Sequence, residues 1–293
     1  MLFSKNIPET KVCAPCVTAT PVLFKDFNKT TKDLLTKNFC APGSWKVESK
    51  YKGPKDSLFV NPQAGSDGSM SVDVEYAFSQ QPVSVKLNVT PSLHENAKLT
   101  LSCNKKGHKL ETVLHKKERN LVDYELIHEA CNVVKRVSMH EKLTKQVLEV
   151  GLGVEVVPNC HIGCGTVYRL KECMCDWNVG CRWADKGYEV SLFSNRQKAH
   201  TANIVLPLSL TLGERKLRAL VAGETMFRTP AKTFDYAVGV SATCPMFPLN
   251  TIKAKIDHNL KWAVSYVLKT EDNWAVTVSL DKNMRCGVLL SHS

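Results

Sequence analysis

A chain of 293 residues with 43% hydrophobic content is long enough for one large domain or two ordinary ones. Its 39 Lys and Arg against 28 Asp and Glu leave a net charge of +11, which favours an anionic partner. The basic residues are spread along the chain rather than gathered in a tail, which argues against nucleic acid. No stretch approaches the roughly 20 apolar residues of a membrane-crossing helix; this excludes a helix-spanning protein but not a membrane barrel.

Residues 1–23 carry no charged start followed by a sustained apolar run, because Asn6, Pro8, Glu9 and Thr10 interrupt it. They contain no Arg, unlike a matrix presequence, and are expected to form a disordered extension. Without a signal peptide the twelve cysteines are read as reduced thiols. Cys13-x-x-Cys16 lacks the βαβ context of a redox motif.

Residues 24–39 are expected to form one amphipathic helix. Phe24, Phe27, Leu34, Leu35 and Phe39 fall on one side, and Lys25, Lys29, Lys32, Asp33 and Lys37 on the other. It would be about 24 Å long at 1.5 Å per residue.

From residue 43 to 293 the dominant period is two. Val72, Val74, Tyr76 and Phe78 alternate with polar residues, as do Val83, Val85, Leu87 and Val89. The pattern returns in Leu148–Val156, Ile204–Leu210, Leu260–Leu268 and Trp274–Leu280. Turn signals such as Gly65-Ser66-Asp67-Gly68 and Glu271-Asp272-Asn273 separate the segments. About 17–19 strands follow, roughly 13 residues apart, the spacing of strands of about 10 residues joined by short turns.

Nearly every strand has one apolar and one polar face. A water-soluble closed barrel of this many strands would leave an interior too wide for side chains to fill. Turned apolar side out, the same barrel gives its apolar face to lipid, and closure removes unpaired edges. The pattern fits a transmembrane β-barrel better than a sandwich. On this reading Val264 and Val278 would not accept lysine, whereas Ser265 and Thr277, on the polar phase, would.

The cluster Cys160-His161-x-x-Cys164…Cys173-x-Cys175…Cys181 lacks the two CxxC knuckles of a zinc ribbon, Cys173 and Cys175 would sit on one face of a strand as small hydrophobes, and no metal is expected there. Gly151-x-Gly153 is not followed by a helix pattern and reads as packing or bending within a strand. No catalytic set and no cofactor site is evident. Lys216, Arg218, Lys253, Lys255, Lys261 and Lys269 share the polar phase of their strands, which in a barrel is the lumen.

Two segments carry a family resemblance. Phe24, Asp26, Phe27, Lys29, Thr30, Lys32, Asp33, Leu34, Leu35, Thr36, Lys37 and Phe39 resemble, without a gap, the N-terminal helix of the eukaryotic mitochondrial porins, the voltage-dependent anion channels. Asn28 and Asn38 stand where that pattern has glycine, and Lys32 where it has arginine. Near the C-terminus, Ala254-Lys255-Ile256-Asp257 and Ala263-Val264-Ser265-Tyr266 are similar to the family's signature segment, from which Asn250 and His258 depart. Leu280-Asp281-Lys282-Asn283 and Gly287-Val288-Leu289-Leu290 resemble its final hairpin. Arg285, Gly287 and Leu290 match the insertion signal of mitochondrial barrels, with His292 in its last apolar place.

The resemblance implies an all-β barrel of about 19 strands, its first and last strands parallel and the helix inside the lumen. Phe24, Phe27, Leu34 and Leu35 would pack on the wall. The pore lining would include Lys25, Asp26, Lys29, Lys32, Asp33 and Lys37 with the six strand cations above. It further implies a voltage-dependent, anion-selective channel of the mitochondrial outer membrane, in contact with lipid and passing ATP, ADP, phosphate and chloride, alone or associated with like barrels. The acid that this family often turns toward lipid on an early strand corresponds to Leu87 here. Two other readings stay open: a protein-import channel of the same superfamily, and a soluble β-sandwich binding protein.

Overall fold

A computed structural model describes residues 21–53, 57–78, 81–90, 96–117, 121–196, 198–212, 215–229, 231–243, 247 and 249–292. The expected extension falls almost wholly outside these residues, as do Cys13 and Cys16.

The chain is a closed β-barrel of 19 strands with one short N-terminal helix. The first strand runs as Trp45–Ser49 and Tyr51–Lys52, interrupted at Lys50, whose amide donates to His292 O at 2.7 Å. The others follow as Leu58–Gly65, Met70–Ala77, Val83–Val89, Asn96–Lys105, His108–Lys117, Leu121–Asn132, Val137–Thr144, Val147–Val157, Cys160–Arg169, Met174–Asp185, Tyr188–Asn195, Ala199–Leu212, Arg215–Arg228, Thr233–Thr243, Thr251–Asp257, Trp262–Lys269, Trp274–Asp281 and Cys286–His292. Each pairs antiparallel with the next. A ring of alternating directions closes only with an even number, so 19 strands force one parallel seam. That seam pairs Trp45 with Val288 through Ser49 with His292. Among the described residues no helix is long and apolar enough to cross a membrane.

The turns use left-handed residues where the strand twist demands them. Lys106–Gly107 (φ 47° and 81°) and Lys186–Gly187 (φ 50° and 89°) form two-residue turns with both residues at positive φ.

Strand parity sorts the side chains as the alternation predicts. Val72, Tyr76, Leu87, Leu152, Ile204, Val264 and Val278 point outward and stay exposed. Ser138, Ser191, Asn203, Ser265, Thr277 and Ser279 point inward. Two details differ from the sequence reading. Ser265 and Thr277 are inward but buried, because Ser265 donates to Asn38 O and Cys40 Sγ lies 3.8 Å from Thr277 O. Lysine at either position would displace the segment leading to the first strand and would not be tolerated. Cys173 sits in a turn with φ 50°, not on the strand face of Cys175.

Candidate functional site

Residues 21–43 follow the inner wall of the barrel. Val22 O accepts a hydrogen bond from Ser138 at 2.7 Å, Phe24–Asp26 make a single 3-10 turn, and Lys29–Thr36 form the α-helix α1. The continuous helix expected over 24–39 is therefore split. Asn28 leaves helical geometry (φ −114°, ψ 18°), Lys37 is extended, and Asn38 is left-handed at φ 66°. Asparagine tolerates that region, and it ends the helix as glycine would.

The 3-10 turn packs on Val137–Thr144, Val147–Val157 and Cys160–Arg169, and α1 on the three strands from Ala199 to Thr243. Phe24, Phe27, Leu34 and Leu35 are buried, Phe27 completely. Full burial of one such ring contributes about 1.5–3 kcal/mol.

The glycines explain why the ring fits. Gly151 pairs with Gly165 and Gly153 with Gly163 across two strands, and Phe24 lies over the patch they clear. A Cβ at Gly165 would come within 3.0 Å of Phe24, and one at Gly163 would collide with its ring. Leu34 and Leu35 sit in the same way over Gly239. Gly165→Val, whose added Cβ would press on the side chains of Phe24 and Asn178 rather than on backbone, should therefore expel Phe24 and loosen the start of the segment. The expected readout is at least tenfold faster tryptic cleavage at Lys25 and Lys29, with the barrel itself intact.

Polar contacts pin both ends. Lys25 pairs with Glu129. Thr30 Oγ1 donates to Glu189 Oε2 at 2.8 Å, and Arg182 reaches the same oxygen at 2.9 Å in a buried pair. At the other end, Lys255 Nζ donates to Leu35 O at 2.9 Å and Lys253 Nζ to Lys37 O at 3.2 Å. These cations meet carbonyls that a helix terminus leaves unpaired, at the negative end of its dipole. Lys255 also lies 4.3 Å from the ring centre of Phe39. Sequence reasoning placed both lysines in the lumen but missed this role.

The remaining expected pore residues sort by environment. Lys37 is paired with Asp33 at 2.7 Å, while Lys29 stands 4.0 Å from Asp26. Lys32, Arg218, Lys261 and Lys269 are exposed, and none has an ion-pair partner among the described residues. Lys216 lies in strand Arg215–Arg228, but its side chain is outside the described set. Arg285 lies at the mouth, its guanidinium 3.2 Å from Asp281. A Cβ at Gly287 would meet Ala41 O at 2.5 Å, so glycine is needed there for the segment's close approach, while Leu290 lies on the outward phase. A cavity of about 710 Å³ opens beside the helix end, lined by Phe39, Lys255, Asp257, Lys261, Asp281 and Arg285 among others.

α1 packs on the far wall, from Ala199 to Thr243, so the water column lies against the early strands. Their inward charges are largely matched: Lys86 with Asp73 at 3.0 Å, Lys109 with Glu111 at 3.0 Å, and Lys142 with Glu125 at 3.3 Å. Lys98 is exposed and unpaired among the described residues, and was not singled out from sequence. The inward acids Glu75, Asp123, Glu149, Glu155 and Glu224 likewise lack an ion pair among the described residues, but they are partly covered, whereas the unpaired cations are exposed.

The cysteine cluster does not converge. Cys160, Cys164, Cys175 and Cys181 take the outward phase of neighbouring strands, whereas His161 points inward against Phe27. Among the described residues no three His, Cys, Asp or Glu groups could hold a metal ion.

A large closed barrel with a water-accessible lumen and an internal helix is a transmembrane-barrel-like fold, typical of channels rather than of enzymes. Neither protein-family models nor curated proteins give a match to this chain.

Proposed function

We propose that this chain is a voltage-dependent, anion-favouring diffusion channel of the mitochondrial outer membrane, of the porin family that its two ends resemble. It passes chloride, phosphate and nucleotides such as ATP and ADP. One observation carries the reading: Lys32, Lys98, Arg218 and Lys269 are exposed in the lumen with no ion-pair partner among the described residues, whereas the inward acids that lack one are partly covered. Unmatched cations raise the local concentration of anions, and the low-dielectric wall strengthens their field.

Lipid covers the outward faces of the strands, whose exposed Val, Leu, Ile and aromatic side chains have no other cover. No reaction is catalysed. Transport needs only that anions enter favourably and leave readily.

Liposomes reconstituted with the chain and loaded with ATP and a large neutral dextran test this. Release of ATP with retention of dextran is expected. ATP retained as fully as dextran would contradict the reading, and faster release of a cationic peptide than of ATP would favour an import channel.

A further inference from the structure

On the outward phase, where neighbours are Leu110, Leu114, Tyr124, Leu126 and Met139, three ionisable side chains touch. His128 stands opposite both Leu110 and Glu141, and His108 opposite Ala130. His128 Nδ1 lies 3.2 Å from Glu141 Oε2, and His108 Nδ1 lies 3.3 Å from His128 Nε2, with the two rings stacked at 5.5 Å. If the Glu141 carboxylate accepts from His128 Nδ1–H, then His128 Nε2 accepts from His108 Nδ1–H. That chain fixes the His108 ring at the rim and leaves its Nε2 free for another partner.

Beside His108 lies an outer groove of about 410 Å³, whose lining includes Lys106, Ala130, Asn132, Val137 and Met139. The turns above it are joined by a hydrogen bond from Cys131 N to Gly107 O at 2.8 Å. They carry Lys105, Lys106, Lys135 and Arg136, all exposed and none ion-paired among the described residues, and they contain no acid. Val134, between them, is 93% exposed.

We infer that this groove binds one anionic phospholipid, an inference that rests on the membrane reading above. The phosphate would sit on Lys106, Lys135, Arg136 and His108, and an acyl chain would run down over Val137 and Met139. Charge complementarity selects an anionic headgroup, and continuity with the apolar outer wall selects a lipid over free phosphate. Val134 would enter the headgroup layer beside it. Glu141 remains below, paired with His128, and serves to position the histidines.

Native mass spectrometry of the folded barrel titrated with phosphatidylglycerol or phosphatidylcholine is the test. The K106Q/K135Q variant should bind phosphatidylglycerol about 25-fold more weakly, at roughly fivefold per charge near the surface. K186Q, in a turn at the same end, should bind it as the unaltered chain does. Glu141→Gln should weaken binding less than the double variant, with the barrel spectrum unchanged.

Equal retention of the two lipids, equal weakening by K186Q, or displacement of the lipid by millimolar inorganic phosphate would each overturn the inference. Carbonate washing of reconstituted vesicles separates the two levels. Loss of the chain from the vesicles overturns the membrane reading itself, whereas retention without lipid preference overturns only the groove.

Discussion

Lysine at Val264 or Val278 should impair insertion by about 2–4 kcal/mol if the site lies near the bilayer midplane. Both side chains lie on the outward phase, about 40% exposed, on adjacent strands in the middle of the wall. In hydrocarbon a lysine there has no water to solvate its ammonium group and only its flexible stem with which to reach the interface. The matched controls are Gln63→Lys and Ser209→Lys, on the inward phase and not buried. Their ammonium groups meet lumen water, and Gln63 stands opposite Glu48. Urea titration of the reconstituted barrel gives the difference. Equal stabilities for the two sets would mean that the outward face does not meet lipid.

Removing the two lysines that hold the helix end should have the next largest effect. Lys255→Met and Lys253→Met keep the apolar stems but leave Leu35 O and Lys37 O without their cationic donors. A hydrogen bond to a charged group contributes about 1.5–3 kcal/mol, so the double variant should lose several kcal/mol of anchoring. Leu34 and Leu35 still pack on Gly239, so the helix loosens rather than leaves. A spin label at Thr36, which is exposed in the lumen, should change from one immobile population to a mobile mixture. Single-channel records should gain short closures. An unchanged spectrum would show that apolar packing alone holds the helix.

The barrel was legible because its cause is local. A strand sends successive side chains to opposite faces, so an outward face that keeps Val, Leu and Ile writes period two into the sequence. The helix was legible as an amphipathic stripe, but its ends were not. Asn28 and Asn38 break it by backbone conformation, and hydrophobic periodicity carries no sign of φ. The anchors lay further out of reach. Glu189 and Lys255 touch α1 and Lys253 the residue that follows it, each across more than a hundred residues of chain, with Arg182 behind Glu189, and a charged residue on a polar phase looks the same whether it faces water or a carbonyl. One signal was present: Gly151-x-Gly153 paired across the sheet with Gly163-x-Gly165 is a cleared patch, and the nearby aromatic segment fills it. Ser265 and Thr277 were misjudged for the converse reason, since parity places them inward without telling what lies over them.

The central claim is that luminal charge sets the passage of anions, and the reversal potential across a salt gradient in a planar bilayer tests it most directly. Lys32 is unpaired among the described residues and Lys29 is only loosely held by Asp26, so K29E/K32E turns two cations into two acids where the helix meets the water. The unaltered channel should give an anion-favouring potential, and the double variant one shifted toward cations. The shift should shrink in strong salt, as the screening length falls from about 10 Å at 0.1 M to about 3 Å at 1 M. A cation-favouring unaltered channel, or a double variant with an unchanged reversal potential, would contradict the account.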